Sequence, residues 1–128
     1  MDGYAVRSES VSGATPESPV RLAVRETLAA GQFASAPLGA REAVRVMTGA
    51  AVPEGTDSVI RVEDTDGGVT EVRIRDARDA GRNLRARGED IHAGEVVLER
   101  GIPLGAAQVG VLASVGAASV DVYRRPRV

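Results

Sequence analysis

Cysteine is absent from these 128 residues. A thiol nucleophile, an iron–sulfur cluster, a cysteine zinc site and a disulfide framework are thereby excluded. Lysine is absent as well, because all 16 basic residues are arginine. No side chain can then form a Schiff base, serve as a P-loop lysine, or carry a biotinyl or lipoyl arm. The single histidine, His92, cannot build a multi-histidine metal site. Tryptophan is missing and aromatic residues make up 2% of the chain: Tyr4, Phe33 and Tyr123. A stacking platform for single-stranded nucleic acid is therefore lacking. The formal charge of -2 gives no basic face to displace counterions from a duplex. No nucleic-acid partner is expected.

Nothing in the sequence marks a membrane partner either. The opening MDGYAVRSES lacks the basic-then-apolar order of a signal peptide. The uncharged stretch Ile102–Val120 contains Pro103, Gly105, Gly110, Gly116, Gln108, Ser114 and Ser119, too many polar and breaking residues for a spanning helix. The expectation is a cytoplasmic protein.

The residues that are present favour strands. A 43% hydrophobic fraction, drawn mostly from Val, Leu, Ile and Ala, suits thin β-layers. Segment Ser8–Pro19 is rich in Ser, Gly and Pro, and reads as an exposed loop. Apolar alternation then predicts strands at Val20–Glu26, Ala43–Thr48, Ser58–Glu63, Val69–Arg75, Glu95–Leu98 and Ser119–Tyr123. Asp66-Gly67-Gly68 between two of them reads as a hairpin turn. One helix is predicted over Leu104–Ser114, stopped by Gly116. Gly105 and Gly110 within it each cost about 1 kcal/mol against Ala, which points to close packing on that side. The fold class is mainly β, with one late helix.

Three short motifs could carry chemistry. In Met1-Asp2-Gly3-Tyr4-Ala5-Val6, Asp2 can offer its oxygens to a cation or a hydroxyl, and Gly3 permits close backbone approach; the bland reading is a plain turn. In Val46-Met47-Thr48-Gly49-Ala50, Thr48 offers a hydroxyl, and the amides flanking Gly49 can receive an oxyanion; otherwise this is a strand running into a loop. In Asn83–Glu95, Arg85 and Arg87 would share one face if they lay on a strand, where paired guanidinium forks suit a phosphate or other oxyanion. Glu89 and Asp90 are hard oxygen ligands of the kind Mg²⁺ uses together with waters and a substrate phosphate. The alternative for this third segment is a solvated cluster of salt bridges, with His92 a surface loop residue.

Taken in order, MDGYAV, MTGAAVPEGTDSVIRVEDT, NLRARGEDIHAGEVVLERGIPL and QVGVLASVGAASVDVYRRPRV resemble the N-terminal region of the molybdopterin molybdenumtransferases, the MoeA and gephyrin-E family. Only Ser8–Arg41 and Asp64–Arg82 contribute nothing distinctive. The resemblance implies bifurcated, coiled β-sheets, with residues 9–102 as a β-rich subdomain and 1–8 with 103–128 as a flanking one. It also implies that the chain is cut, with a catalytic α/β domain expected after residue 128, so that this piece alone would be inactive. The implied activity is transfer of molybdenum from molybdate to adenylated molybdopterin, with Mg²⁺ assisting, in a homodimer. Carried over by motif, Asp2, Thr48 and Asp90 would be catalytic, and Arg85, Arg87 and Gly49 would bind substrate. Asp2, Asp90 and Glu89 would hold the metal. Two other readings stay open: a non-catalytic dimerisation or partner-binding module, and an unrelated β-clip or barrel module.

Overall fold

The computed structural model describes residues 1–124. The chain forms two compact units, Met1–Arg85 and a second that begins at Ala86. The first holds a five-stranded sheet, built from β1 (Gly3–Val6), β2 (Val20–Leu28), β3 (Glu42–Val46), β4 (Ser58–Arg61) and β5 (Glu71–Ile74). Their order across the sheet is β4-β1-β3-β2-β5. Neighbours are antiparallel except β2 and β3, which run parallel.

β1 lies inside the sheet, between β4 and β3. All four of its residues are buried, so it reads as a continuous apolar run rather than an alternation. Gly3 is required here by space. A Cβ on it would stand 2.2 Å from the Ile60 carbonyl oxygen, well inside van der Waals contact. Residues 1–8, grouped by expectation with 103–128, thus include a strand bonded to β3 and β4.

The sheet curls into a half-barrel. Its enclosed face gathers Tyr4, Val6, Leu22, Ala43, Ile60, Val72 and Ile74 from all five strands, together with Val11 and Ala14. The buried Tyr4 hydroxyl donates to the Gly68 carbonyl at 2.9 Å, which meets the requirement that a buried phenol find a partner. Ala5, Val44, Val46, Val59 and Leu28 face the other way and are covered by Leu38, with Ala34, Ala50 and Leu84 packed against them. Arginines hold that cover in place. Arg7 donates to the Leu38 carbonyl at 2.6 Å, and Arg25 to the carbonyls of Ala36 and Pro37 and to the Glu42 carboxylate.

Four predicted strands form with shifted ends; the remaining two do not form. The apolar runs at 95–98 and 119–123 alternate correctly but find no partner strand among the described residues. None of the described residues of the second unit is buried, so the burial that sustains a strand is lacking there. The chain reverses between Asp66 and Arg73, with its bend at Val69–Thr70, but β4 and β5 stand at opposite edges of the sheet. What the turn closes is a single bridge, Thr65 to Ile74, which brings the segment after β4 round to β5. The Ser8–Pro19 segment is less exposed than its composition implies. It contains a one-turn helix, α1 (Ser8–Val11), and contributes Val11 and Ala14 to the core.

The long helix, α2 (Ala106–Ser114), falls where the sequence puts it. At its start the Gln108 side chain accepts from the Gly105 amide at 3.0 Å. At its end Gly116 takes a positive φ of 75°. The amides of Ala117 and Gly116 there return to the carbonyls of Leu112 and Ala113, a Schellman stop. Close packing at its glycines is not found. Gly110 has no atom within 4 Å of where a Cβ would sit, and Gly105 meets only Gln108.

Candidate functional site

Asp2 and Thr48 lie 46 positions apart in sequence, yet the β1–β3 register draws them together. Gly3 stands opposite Val46, so one step outward places Asp2 beside Met47 and next to Thr48. Asp2 Oδ1 accepts from the Thr48 amide at 2.8 Å and from its hydroxyl at 2.9 Å. The backbone is tied down on both sides. The Val62 amide donates to the Asp2 carbonyl, and the Met47 amide to that of Leu28. Gly49 follows with φ of 82°, a left-handed position that suits glycine, and the Ala50 amide returns to the Met47 carbonyl. Both Asp2 and Thr48 are exposed.

The Thr48 amide and hydroxyl hold the Asp2 carboxyl below its ordinary value, with smaller contributions from the charges of the Met1 ammonium and Arg45. Asp2 is therefore an anion at neutral pH. Its Oδ2 accepts no hydrogen bond among the described residues, leaving one carboxylate edge open to a cation or a donor. Sequence reading did not single out Arg45. It looks like an ordinary strand residue, and its neighbourhood is visible only once β1 and β3 are paired.

The other expected residues lie further along. Arg85 closes the first unit, whereas Arg87, Glu89 and Asp90 belong to the second. The strand that would set Arg85 and Arg87 on one face does not form, because residues 86–89 make a tight turn instead. Gly88 takes φ of 83° there. The Glu89 amide returns to the Ala86 carbonyl, and the Glu89 carboxylate accepts the Ala86 amide at 2.9 Å. The same device repeats six residues later. The Glu95 carboxylate accepts the His92 amide at 3.0 Å, and Gly94 takes φ of 86°. The sequence pattern behind both is Gly-Glu at the end of a four-residue turn. A cavity of about 620 Å³ beside these turns is lined by Arg87, Ile91, His92, Val97 and Val115, among others. His92 is an exposed loop residue, as expected.

Among the described residues no three of His, Cys, Asp or Glu converge in a way that could cage a metal. Mg²⁺ does not need such a cage, since it is commonly bound by one or two carboxylates plus substrate phosphate and water. The open edge of Asp2 fits that mode. Glu89 fits less well, with one oxygen committed to its own turn.

A family model for the MoeA N-terminal region, domains I and II, matches residues 1–116. Molybdopterin molybdenumtransferase 2 of Mycobacterium tuberculosis is 46% identical over all of this chain, which covers 32% of that protein. The molybdopterin molybdenumtransferase of Bacillus subtilis is 37% identical over 99% of the chain, covering 30% of its own length. The crystal structure of the molybdopterin biosynthesis MoeA protein from Pyrococcus horikoshii OT3 superposes with a TM-score of 0.79. It is 32% identical, across 91% of this chain and 31% of that one. The chain thus spans about a third of the length of the curated relatives it matches.

Proposed function

The chain belongs to the MoeA family through its N-terminal region, and from that premise we propose that it supplies the β-rich part of a molybdopterin molybdenumtransferase. In this reading the assembled enzyme moves molybdenum from molybdate onto adenylated molybdopterin, works in the cytoplasm as a homodimer, and draws its α/β domain from sequence beyond residue 128. The observation that carries the reading is the Asp2–Thr48 corner, formed by two motifs at the ends of paired strands.

Each group has a physical role. Thr48 fixes the Asp2 carboxylate and keeps it charged, so that Oδ2 can hold Mg²⁺ or orient a substrate hydroxyl. When bound, Mg²⁺ would neutralise phosphate charge and assist cleavage of the adenylate as a Lewis acid. The amide beside Gly49 and the guanidinium groups of Arg85 and Arg87 are donors of the kind that receive oxyanions. Asp90 and Glu89 are the other carboxylates assigned to the metal in this reading. No helix of the described residues is long and apolar enough to cross a membrane.

A chimera tests this. The 128 residues replace the corresponding third of the M. tuberculosis molybdopterin molybdenumtransferase 2 in a strain lacking that activity. We expect the chimera to restore a molybdenum-dependent reductase, and Asp2→Asn to abolish the rescue while protein level is unchanged. Full rescue by Asp2→Asn would remove Asp2 from the site. A second reading, a non-catalytic partner-binding module, draws on the exposed Val96, Val109, Val122 and Tyr123 of the second unit. It would be favoured if the chimera dimerised normally and rescued nothing.

A further inference from the structure

Four arginines among the described residues are half-buried: Arg7, Arg25, Arg45 and Arg61. Three of them have evident structural work. Arg7 donates to the Leu38 carbonyl, Arg25 to carbonyls and to Glu42, and Arg61 to Asp79 with Asp64 beside it. Arg45 alone of these four makes no side-chain hydrogen bond and no salt bridge among the described residues. None of its nitrogens is both buried and unpartnered, unlike Arg7 Nε, so its donors reach solvent and stand available to an incoming anion.

Its position explains what could complete it. In the sheet Arg45 stands directly opposite Tyr4 on β1, and paired residues project from the same face. Asp2, two residues before Tyr4, projects from that face too. Thr48 lies three residues beyond Arg45 and holds Asp2. The Tyr4 hydroxyl donates to the Gly68 carbonyl and makes no hydrogen bond with Arg45. Asp2 is near enough for its carboxyl to feel the Arg45 charge but makes no ion pair with it, its Oδ1 being taken by Thr48. The result is a fork of donors beside a fixed hydroxyl and a carboxylate, at the open end of β1 and β3.

We propose that Arg45 is a substrate-binding residue of the Asp2–Thr48 corner, where its guanidinium receives a tetrahedral oxyanion. The inference rests on the reading of that corner as part of the substrate site. Two sources carry this chemistry: the phosphate of a pterin or nucleotide, and molybdate itself. A guanidinium fork offers two parallel N–H donors to either, and its charge offsets that of Asp2 as the anion approaches. If Arg45 were only a solvated strand residue, its removal would matter no more than that of any surface arginine.

The test is a titration of the ¹⁵N-labelled chain with inorganic phosphate and, separately, with molybdate, at constant ionic strength set by chloride. The signals followed are the Arg45 Nε–H and the Thr48 amide. We expect one of the two anions to shift both signals along a single saturating curve, and the tighter binder names the source. Arg45→Gln should weaken that binding roughly tenfold or more, as loss of a charge-assisted hydrogen bond does. Arg75→Gln, which removes an exposed arginine of the same unit, should leave it within roughly twofold, the small effect expected of a screened surface charge. Arg45→Lys keeps the charge without the fork, guards against a folding artefact, and should fall between. Equal loss in Arg45→Gln and Arg75→Gln, or no saturable shift with either anion, overturns the proposal. That outcome is distinct from failure of the enzyme reading, which is decided by whether the unsubstituted chimera rescues, and from loss of Asp2 from the site, which full rescue by Asp2→Asn would show.

Discussion

Replacing Gly3 by Ala should be among the most damaging single-methyl changes this chain can suffer. The added Cβ would lie 2.2 Å from the Ile60 carbonyl oxygen, 3.0 Å from its carbon and 3.1 Å from Val59 Cγ1. Two of these three are backbone atoms of β4, so no rotamer change relieves the contact. The strand itself must retreat by about an ångström to reach ordinary van der Waals separation. Retreat strains the β1–β4 ladder at Gly3–Arg61 and Tyr4–Ile60. Overpacking of this kind costs about 1–3 kcal/mol, and each weakened ladder bond adds about 1 kcal/mol. A loss of roughly 3–4 kcal/mol would lower the melting temperature by about 12–30 °C in a domain near this size. Circular dichroism during thermal unfolding measures it. The matched control is Gly110→Ala, the same chemical change in mid-helix with nothing within 4 Å, where Ala is favoured by about 1 kcal/mol. A Gly3→Ala melting point within a few degrees of the parent would refute the argument from space.

Further outcomes follow from the same structure. Tyr4→Phe removes the donor to the Gly68 carbonyl while keeping the ring, and should cost about 1 kcal/mol in urea unfolding. Acid should destabilise the fold along a defined limb. Asp2, Glu42 and Asp66 are held below their ordinary values of 3.8, 4.5 and 3.8, each first by a backbone amide, from Thr48, Gly39 and Arg73 respectively. A folded-state pKa that is depressed gives stability that is complete above the unfolded value and lost as pH falls through the folded one. Urea midpoints should therefore stay level with respect to these groups from about pH 8 down to pH 5 and drop below about pH 4; a drop beginning near pH 6 would contradict the assignment. Asp90→Asn in the chimera should sharply reduce cofactor production without loss of folded protein, and unchanged production would remove Asp90 from the site. The 128 residues alone should give no turnover with adenylated molybdopterin and molybdate, and measurable turnover would show that the further sequence of the relatives is dispensable.

Local signals in the sequence found four of the five strands and the long helix, missed β1 and α1, and could not assemble the sheet. Apolar alternation located β2 to β5 within a few residues, and Gly116 marked the end of α2 because only a left-handed residue completes that stop. The order β4-β1-β3-β2-β5 depends on contacts across long separations, including a parallel β2–β3 pair joined through residues 29–41. No local pattern encodes those pairings. The alternation at 95–98 and 119–123 was a false signal, since it reports which residues could face a core and not whether a core is there. At the candidate site, Asp2, Thr48 and Gly49 were legible because two glycine-flanked motifs stood out from the background. Arg45 was not, because a half-buried arginine without an acceptor becomes apparent only when every neighbouring acceptor has been accounted for.

The central claim is that Thr48 and Asp2 act as one unit in molybdenum insertion. Its most direct measurement is the turnover of the purified chimera with Asp2→Asn, Thr48→Ala and both together. We expect each single change to cost roughly 10- to 100-fold, and the double change to cost no more than the worse single one, as for residues that work as a unit. Parental turnover in the double variant, or losses that simply multiply, would contradict the account.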